Sequence, residues 1–302
     1  MTASLRPCPV CHADASQATL FLESSIDETK LSGSSFASRK VPEYMSHRLV
    51  QCQVCDLVYV DAPPAAGELA RAYHEADYDS SEEADDAAAA YIRAAQATLA
   101  QIAGRKAVLE IGTGTATFLE RLQAEGFETL VGIEPSTAAI HAAPAHRRAW
   151  IREGIFEEND FEPESFDLIC CFMTLEHVPD PRVVAAAALR LLRPGGAFIA
   201  VTHDYRSLVN RMLGKRSPII DVEHMQLFSQ RSVRRLFDEA GYQNVTVQAF
   251  VNRYRVGYWL RLVPIPRALK SAVARALAVT RLDRIRLGAN VGNLFTAGFK
   301  NG

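Results

Sequence analysis

Residues 107–116 read Ala107-Val108-Leu109-Glu110-Ile111-Gly112-Thr113-Gly114-Thr115-Ala116, an apolar run that ends in a glycine turn and passes into an amphipathic stretch, Thr115 to Glu125, stopped by Gly126. A second apolar run, Thr129 to Ile133, closes on Glu134, twenty-two residues beyond Gly112. Strand, amphipathic helix and strand in that order form a βαβ unit. Glycines between strand and helix let the backbone approach a ligand, and the helix N-terminus offers free N–H groups and a positive dipole end to an anionic group. A carboxylate closing the following strand suits a pair of ribose hydroxyls. The combination predicts an adenosine ligand at the carboxyl edge of a sheet.

The alternation continues outward through an apolar strand at 166–172, a helix after Asp180-Pro181, a Pro194-Gly195-Gly196 turn and a strand at 197–202. Ser229 caps a further helix ended by Gly241, and strands at 245–250 and 293–299 follow. Such ordering predicts an α/β fold, a Rossmann-like doubly wound, mostly parallel sheet of seven strands. The domain boundaries expected are a small module at 1–62, a helical linker at 63–104 and the main domain at 105–302. In the linker, helices are expected at 68–78 and 82–103, the second opened by a capping box at Ser80-x-x-Glu83. The stretch 253–288 before the last strand is expected to be a helical insertion, interrupted at Pro264 and Pro266.

A dinucleotide enzyme would prefer Gly-x-Gly-x-x-Gly, whereas this loop has Ala116 and Thr117 where further glycines would stand. Glu110-x-Gly112-x-Gly114 instead resembles the first motif of class I S-adenosylmethionine (SAM) dependent methyltransferases. Ser165-Phe-Asp-Leu-Ile and Leu192-Arg-Pro-Gly-Gly resemble later motifs of the same family, so the likeness runs through most of 105–245. It implies that Glu110, Gly112, Thr113 and Gly114 surround the methionine end of SAM and that Glu134, followed by Pro135, holds the ribose. By position alone, Gly154, Ile155 and Phe156 bracket the adenine, and Phe172 at the end of its strand joins the cofactor residues.

Upstream lie Cys8-Pro-Val-Cys11 and Cys52-Gln-Val-Cys55. Two Cys-x-x-Cys pairs of identical spacing in one short segment match the closed four-thiolate environment of structural zinc, and predict a zinc-ribbon-like module. With Asp56-Leu-Val-Tyr-Val after it, the module resembles the zinc-containing deoxysugar C-methyltransferases, which are usually longer.

Methyl transfer from a sulfonium to a hydroxyl or acidic carbon needs a group that takes a proton, and histidine suits that task near neutral pH. Two candidates follow a glutamate on loops expected at the carboxyl edge: His177 in Leu175-Glu176-His177-Val178-Pro179 and His224 in Asp221-Val222-Glu223-His224. Both pairs match the catalytic positions of the sugar C-methyltransferases, and Tyr78 falls where that family places a tyrosine near the cofactor. His224 with Glu223 ranks first, then His177; His203 is held in reserve as a lone loop histidine. Leu-Glu-His-Val-Pro also resembles the ubiquinone-pathway O-methyltransferases, where an additional upstream glutamate helps bind a divalent metal; this chain has none there, which weakens a metal-assisted reading.

The 302 residues carry a net charge of −2, with 48% hydrophobic residues, the balance of a globular protein and not of a broadly basic phosphate-gripping one. The charge is uneven. Glu75 to Asp86 holds seven acids and no base, and Arg253 to Arg286 holds nine bases against Asp283. The basic stretch is read first as a helical pair with a solvated face, then as a lid or acidic-substrate site, and last as a membrane contact. No secretory leader is evident, and the cysteine layout fits a reducing compartment, so a cytoplasmic protein is expected. The resulting expectation is a SAM-dependent enzyme acting on a small molecule such as a sugar, a nucleotide-linked compound or another biosynthetic intermediate, by O- or C-methylation. An RNA base methyltransferase and a non-catalytic SAM-binding partner are the alternatives.

Overall fold

The computed structural model describes residues 6–31, 33–36, 44–78, 81–263 and 265–302. In chain order its elements are β1 (Ala18–Leu22), β2 (Leu49–Cys52), β3 (Val58–Val60), α1 (Ala66–His74), α2 (Ser81–Leu99), β4 (Ala107–Ile111), α3 (Thr117–Ala124), β5 (Thr129–Glu134), α4 (Thr137–Ala142), α5 (Ala145–Arg148), β6 (Ile151–Glu153) and β7 (Phe166–Phe172). Then come α6 (Pro181–Leu191), β8 (Leu192–His203), α7 (Leu208–Leu213), β9 (Gln226–Leu227), α8 (Gln230–Ala240), β10 (Gln243–Ala249), β11 (Asn252–Arg255), α9 (Val256–Leu262), α10 (Arg267–Thr280), β12 (Arg286–Ala289) and β13 (Asn293–Phe299).

Seven strands form the main sheet in the order β10-β13-β8-β7-β4-β5-β6, and β13 alone runs antiparallel to its neighbours. Every residue of β4 and β7 is buried, as expected for central strands covered on both faces. Alternate residues of β7 serve opposite sides. Ile169 and Cys171 pack with α6 and α8 through Val184, Leu191, Val233 and Leu236. Leu168, Cys170 and Phe172 pack with α2 and α3 through Tyr91, Phe118 and Leu122. Helices therefore cover both faces, and the sheet is doubly wound as expected. Its strand order reverses between β4 and β7, and a crevice outside their carboxyl ends is where such sheets bind ligands.

The helix ends follow the sequence signals. Ser229 Oγ accepts from the Ser232 N–H at the start of α8, and Gly241 ends it in a left-handed conformation, φ 96°. The capping box expected at Ser80 lies outside the described residues. So does Pro264, although Pro266 does precede α10.

The insertion holds a pair of helices, α9 and α10, broken between Leu262 and Arg267, but it is not helical throughout. Its two ends are strands, β11 and β12, which zip together from Asn252↔Ala289 to Arg255↔Arg286. Alternation in Arg253-Tyr254-Arg255 is a strand signal that the apolar and basic composition obscured. The acidic and basic runs of the sequence meet here: Arg286 reaches Asp86 at 2.8 Å and Arg261 reaches Glu83 at 3.3 Å, tying the arm to α2.

The N-terminal segment is joined to the rest of the chain by its own sheet, β1-β2-β3-β9, whose last strand comes from far along the chain. Val60 N–H donates to the Met225 carbonyl at 2.9 Å, and Met225 N–H donates to the Glu176 carbonyl at 2.7 Å. Arg6 donates to the Pro179 carbonyl at 2.7 Å. Asp56 receives Tyr205 Oη at 2.7 Å and an ion pair from Arg206. Burial works to raise the Asp56 carboxyl, but the Arg206 and Tyr205 donors outweigh it and hold it at about 2. Val10, Val50, Leu57 and Tyr59 share one buried cluster with Ile111, Ile133, Leu175 and Phe228. The segment is thereby built into the wall that carries residues 221–227.

Candidate active site

A cavity of 910 Å³ opens over the carboxyl ends of β4, β5 and β7. On one wall stand Gly112, Gly114, Glu134, Pro135, Gly154, Ile155, Phe156 and Phe172; on the other stand His177, His203, Glu223 and His224. All of the residues expected at the cofactor and catalytic sites line this one space, Tyr78 and Thr113 included.

The glycine loop is shaped by contact as well as conformation. Gly112 has φ 75°, and a Cβ there would sit 2.2 Å from Thr174 Oγ1, across the crevice between β4 and β7. A side chain would thus separate the two strand ends. Gly114 has φ 57° and open space around it, so the loop needs its backbone freedom and leaves room for a ligand. Ala116, where a third glycine would be commoner, takes φ 55° and is fully buried.

Glu134 is 8% exposed and accepts from Gly114 N–H at 2.7 Å and from Ser136 N–H at 2.9 Å. Burial raises its carboxyl above the usual range, against those two backbone donors. Glu110 accepts from Thr113 Oγ1 at 2.6 Å, so the Thr113 hydroxyl is turned back onto the loop. Burial pushes Glu110 up to about 8, opposed by the Thr113 hydrogen bond and assisted by the charge of Glu134. A folded-state pKa above the unfolded value means that the stability from this group is fully present below about pH 4.5 and is lost as pH rises toward 8. The melting temperature of the free protein is therefore expected to fall over that interval relative to Glu110→Gln; parallel melting curves for the two proteins would refute the assignment.

The opposite wall is a cluster of imidazoles. The rings of His177 and His224 lie 4.8 Å apart, and those of His203 and His224 lie 5.6 Å apart. His224 Nδ1 is 2.9 Å from the Ile219 carbonyl, which can only accept, so the neutral ring holds its proton on Nδ1 and its lone pair on Nε2. His177 Nδ1 contacts Tyr73 Oη at 2.9 Å and lies 3.9 Å from Glu223 Oε2. Burial pulls His177 below its usual value, which favours the neutral ring. His203 ends β8 and reaches Glu176 Oε1 through Nδ1 at 2.9 Å. Burial would lower it, yet Glu176 more than compensates and raises it.

Tyr73, Asn252 and Asn293 escaped the sequence reading. Tyr73 on α1 is the tyrosine that touches His177, while Tyr78 faces the glycine loop, its Oη 3.5 Å from Thr115 Oγ1. Glu176, paired with His177 in the sequence reading, is fully buried and partners His203 instead. Asn293 is the cross-strand neighbour of His203 and, like Asn252, lines the cavity with a buried side-chain oxygen that has no hydrogen-bond partner. Helical and strand periodicity carry no signal for such cross-element neighbours.

The four cysteines also converge. Cys8 and Cys55 sulfurs are 3.5 Å apart, Cys11 and Cys52 are 3.6 Å apart, and all four lie within 4.8 Å of one another. Each knuckle closes through a residue at positive φ just after its second cysteine, His12 at 55° and Asp56 at 70°. The contact with Cys55 works to pull the Cys8 thiol down, and the same contact pushes Cys55 up.

Residues 81–247, more than half of the chain, match the family model described as a methyltransferase domain. The ubiquinone biosynthesis O-methyltransferase of Serratia proteamaculans (strain 568) is 33% identical over 111 residues, covering 35% of this chain and 44% of the relative. That of Pseudomonas fluorescens (strain SBW25) is 36% identical over 124 residues, covering 37% and 51%. The chain thus spans about half the length, or less, of these curated relatives. A solved structure named as a methyltransferase of an antibiotic biosynthesis pathway in Anabaena variabilis ATCC 29413 superposes with a TM-score of 0.50 at 15% identity, covering 68% of this chain and 96% of that one; it bears on the fold alone. The chain belongs to the methyltransferase-domain family. Its sheet order, glycine loop and acidic partner are those of a class I SAM-dependent methyltransferase.

Proposed function

We propose that this protein transfers the methyl group of SAM to a hydroxyl of a ring-shaped small molecule, with His224 as the general base. The observation that carries the reading is the single cavity that has the glycine loop and Glu134 on one wall and the imidazole cluster on the other. SAM supplies an electrophilic methyl group; the residues of this chain align the acceptor and handle its proton. In-line displacement requires donor and nucleophile to be held in one geometry, and the two walls offer separate sites for them. His224 Nε2 takes the acceptor proton, and the Ile219 carbonyl fixes the proton of the neutral ring on Nδ1. Glu176 favours the protonated form of His203, whose positive charge on the same wall would stabilise the developing oxyanion. Asn252 and Asn293 supply amides for neutral polar groups of the acceptor. A sugar and a phenolic ring both meet these terms; the relatives named as O-methyltransferases favour oxygen over carbon as the nucleophile. Among the described residues no helix is long and apolar enough to cross a membrane. A cytoplasmic setting remains part of the proposal and rests on the cysteine pattern.

The test is a screen of hydroxylated rings with isotopically labelled SAM, followed by His224→Ala. Loss of a positioned general base costs about 10²- to 10⁴-fold in turnover. The variant is expected to show a loss of that size with SAM affinity retained. Turnover within a few-fold of wild type would remove His224 from the mechanism.

The cysteine cluster is proposed to hold structural zinc. Tetrahedral zinc at about 2.3 Å from each thiolate places sulfurs about 3.8 Å apart, close to the 3.5 and 3.6 Å found within the pairs. The donors fit the ion, since a divalent cation lets all four thiols lose their protons where the pairs alone cannot.

A further inference from the structure

The mouth of the acceptor cavity is built from two segments distant in sequence, α7 and the arm from β11 to β12. Val209 and Leu213 of the first and Trp259 and Leu262 of the second line the same cavity. They adjoin: a Cβ on Gly292, just past the arm, would lie 2.2 Å from Ser207 Oγ at the start of α7. Both segments turn large apolar side chains to solvent. On α7, Leu208 is 72% and Met212 is 78% exposed; on the arm, Val279 is 86%, Ile285 is 48% and Leu287 is 52% exposed. Exposed bases accompany both, Arg211 on α7 with Lys215 and Arg216 in the turn just after it, and Arg275, Arg281 and Arg284 on the arm. None of these six has an acidic partner among the described residues, in contrast to Arg261 and Arg286, which are tied to α2.

From this arrangement we infer that the cavity mouth is a docking surface for an anionic lipid bilayer. A solvated helical pair would keep its apolar residues on the packed side; here they stand outward among unpaired cations, the pattern of elements that lie in the membrane interface. The charge sign selects an anionic surface, to which each base close by contributes about fivefold in partitioning. Docking would present the cavity to the headgroup region, so the acceptor is an amphiphile that enters from the bilayer; that last step rests on the function proposed above, whereas vesicle binding needs no turnover.

The experiment is co-sedimentation of the full chain with phosphatidylcholine vesicles, alone or with about one third phosphatidylglycerol. Binding is expected only to the anionic vesicles and is expected to be released by salt, since screening shortens the reach of the field to a few ångströms near about 1 M. The triple variant Arg275→Ala, Arg281→Ala, Arg284→Ala is expected to bind on the order of a hundredfold more weakly. Leu208→Asp with Met212→Asp should also weaken binding, and unchanged SAM affinity and melting would show that the variants are folded. Absence of binding at low salt, equal binding to both vesicle types, or a solution dimer that the same substitutions dissociate would overturn the proposal. Should a variant misfold, salt release of the unmodified protein still decides the matter.

Discussion

Glu134→Ala is expected to weaken SAM binding by about 10²- to 10⁴-fold in a calorimetric titration. The residue ends β5, is nearly buried, and already holds two backbone donors, so its oxygens are fixed before any ligand arrives. Two hydrogen bonds from ribose hydroxyls to a carboxylate contribute roughly 1.5–3 kcal/mol each, which is the source of the range. Alanine also leaves the Gly114 N–H without its acceptor and slackens the loop that must face the methionine end. Glu134→Gln retains the shape and one acceptor oxygen, and should lose about tenfold. NAD is expected to bind neither protein. Affinity for SAM unchanged in Glu134→Ala, in a variant that melts like the parent, would refute the cofactor site.

Cys8→Ser is expected to lose the bound metal, and to lose methyl transfer while SAM affinity survives. The purified protein should contain about one zinc per chain, from the four-thiolate donor set. Cys8 is fully buried, and its segment shares a hydrophobic cluster with β4, β5 and α8, so release of the knuckles disturbs the core. Structural zinc contributes many kcal/mol to small domains that depend on it. Here the other face of the main sheet keeps a separate core with α2 and α3, and a loss of several kcal/mol should lower the melting temperature by more than about 10 °C. The functional consequence follows from the hydrogen-bonded path between β3, β9 and Glu176. When β3 loosens, β9 no longer holds His224 against the Leu175–Pro179 loop, whereas the glycine loop after β4 keeps its place. Wild-type protein that holds no metal after preparation with excess zinc, combined with a Cys8→Ser variant of unchanged melting temperature, would exclude the assignment.

The two outcomes separate what each wall of the cavity does. A variant that binds SAM but cannot transfer its methyl group reports on the imidazole wall. One that fails to bind SAM reports on the glycine loop. His224→Ala belongs with Cys8→Ser in this scheme, although only the cysteine variant should lower stability strongly.

Much of this could be read from residue order. The βαβ unit, its glycine turn and the acid after the next strand are local: each depends on neighbours a few positions away, through backbone conformation and the burial pattern of one element. Gly112 and Gly114 have the positive φ values that their positions demanded, and Ser229 and Gly241 cap α8 as their residue types indicated. The cysteine pairs were legible for the same reason, since the spacing within each knuckle is short.

Contacts between distant segments were not legible, because periodicity says which face of an element is buried and not what lies against it. Tyr73 over His177, Glu176 beneath His203, and Asn293 beside His203 each join segments whose proximity follows from strand order and the packing of α1. The arm shows the limit in another way. Its composition suggested a helical pair, yet pairing between residues more than thirty positions apart made strands of its ends and left Val279 and Leu287 outside. The chain's own order therefore specified the fold class, the glycine loop and the cysteine pairs, each a matter of local conformation and short spacing. Assembly in three dimensions specified the imidazole wall, the dependence of His224 on the cysteine segment and the exposed face of the arm, because these arise from long-range burial that sums over the whole core.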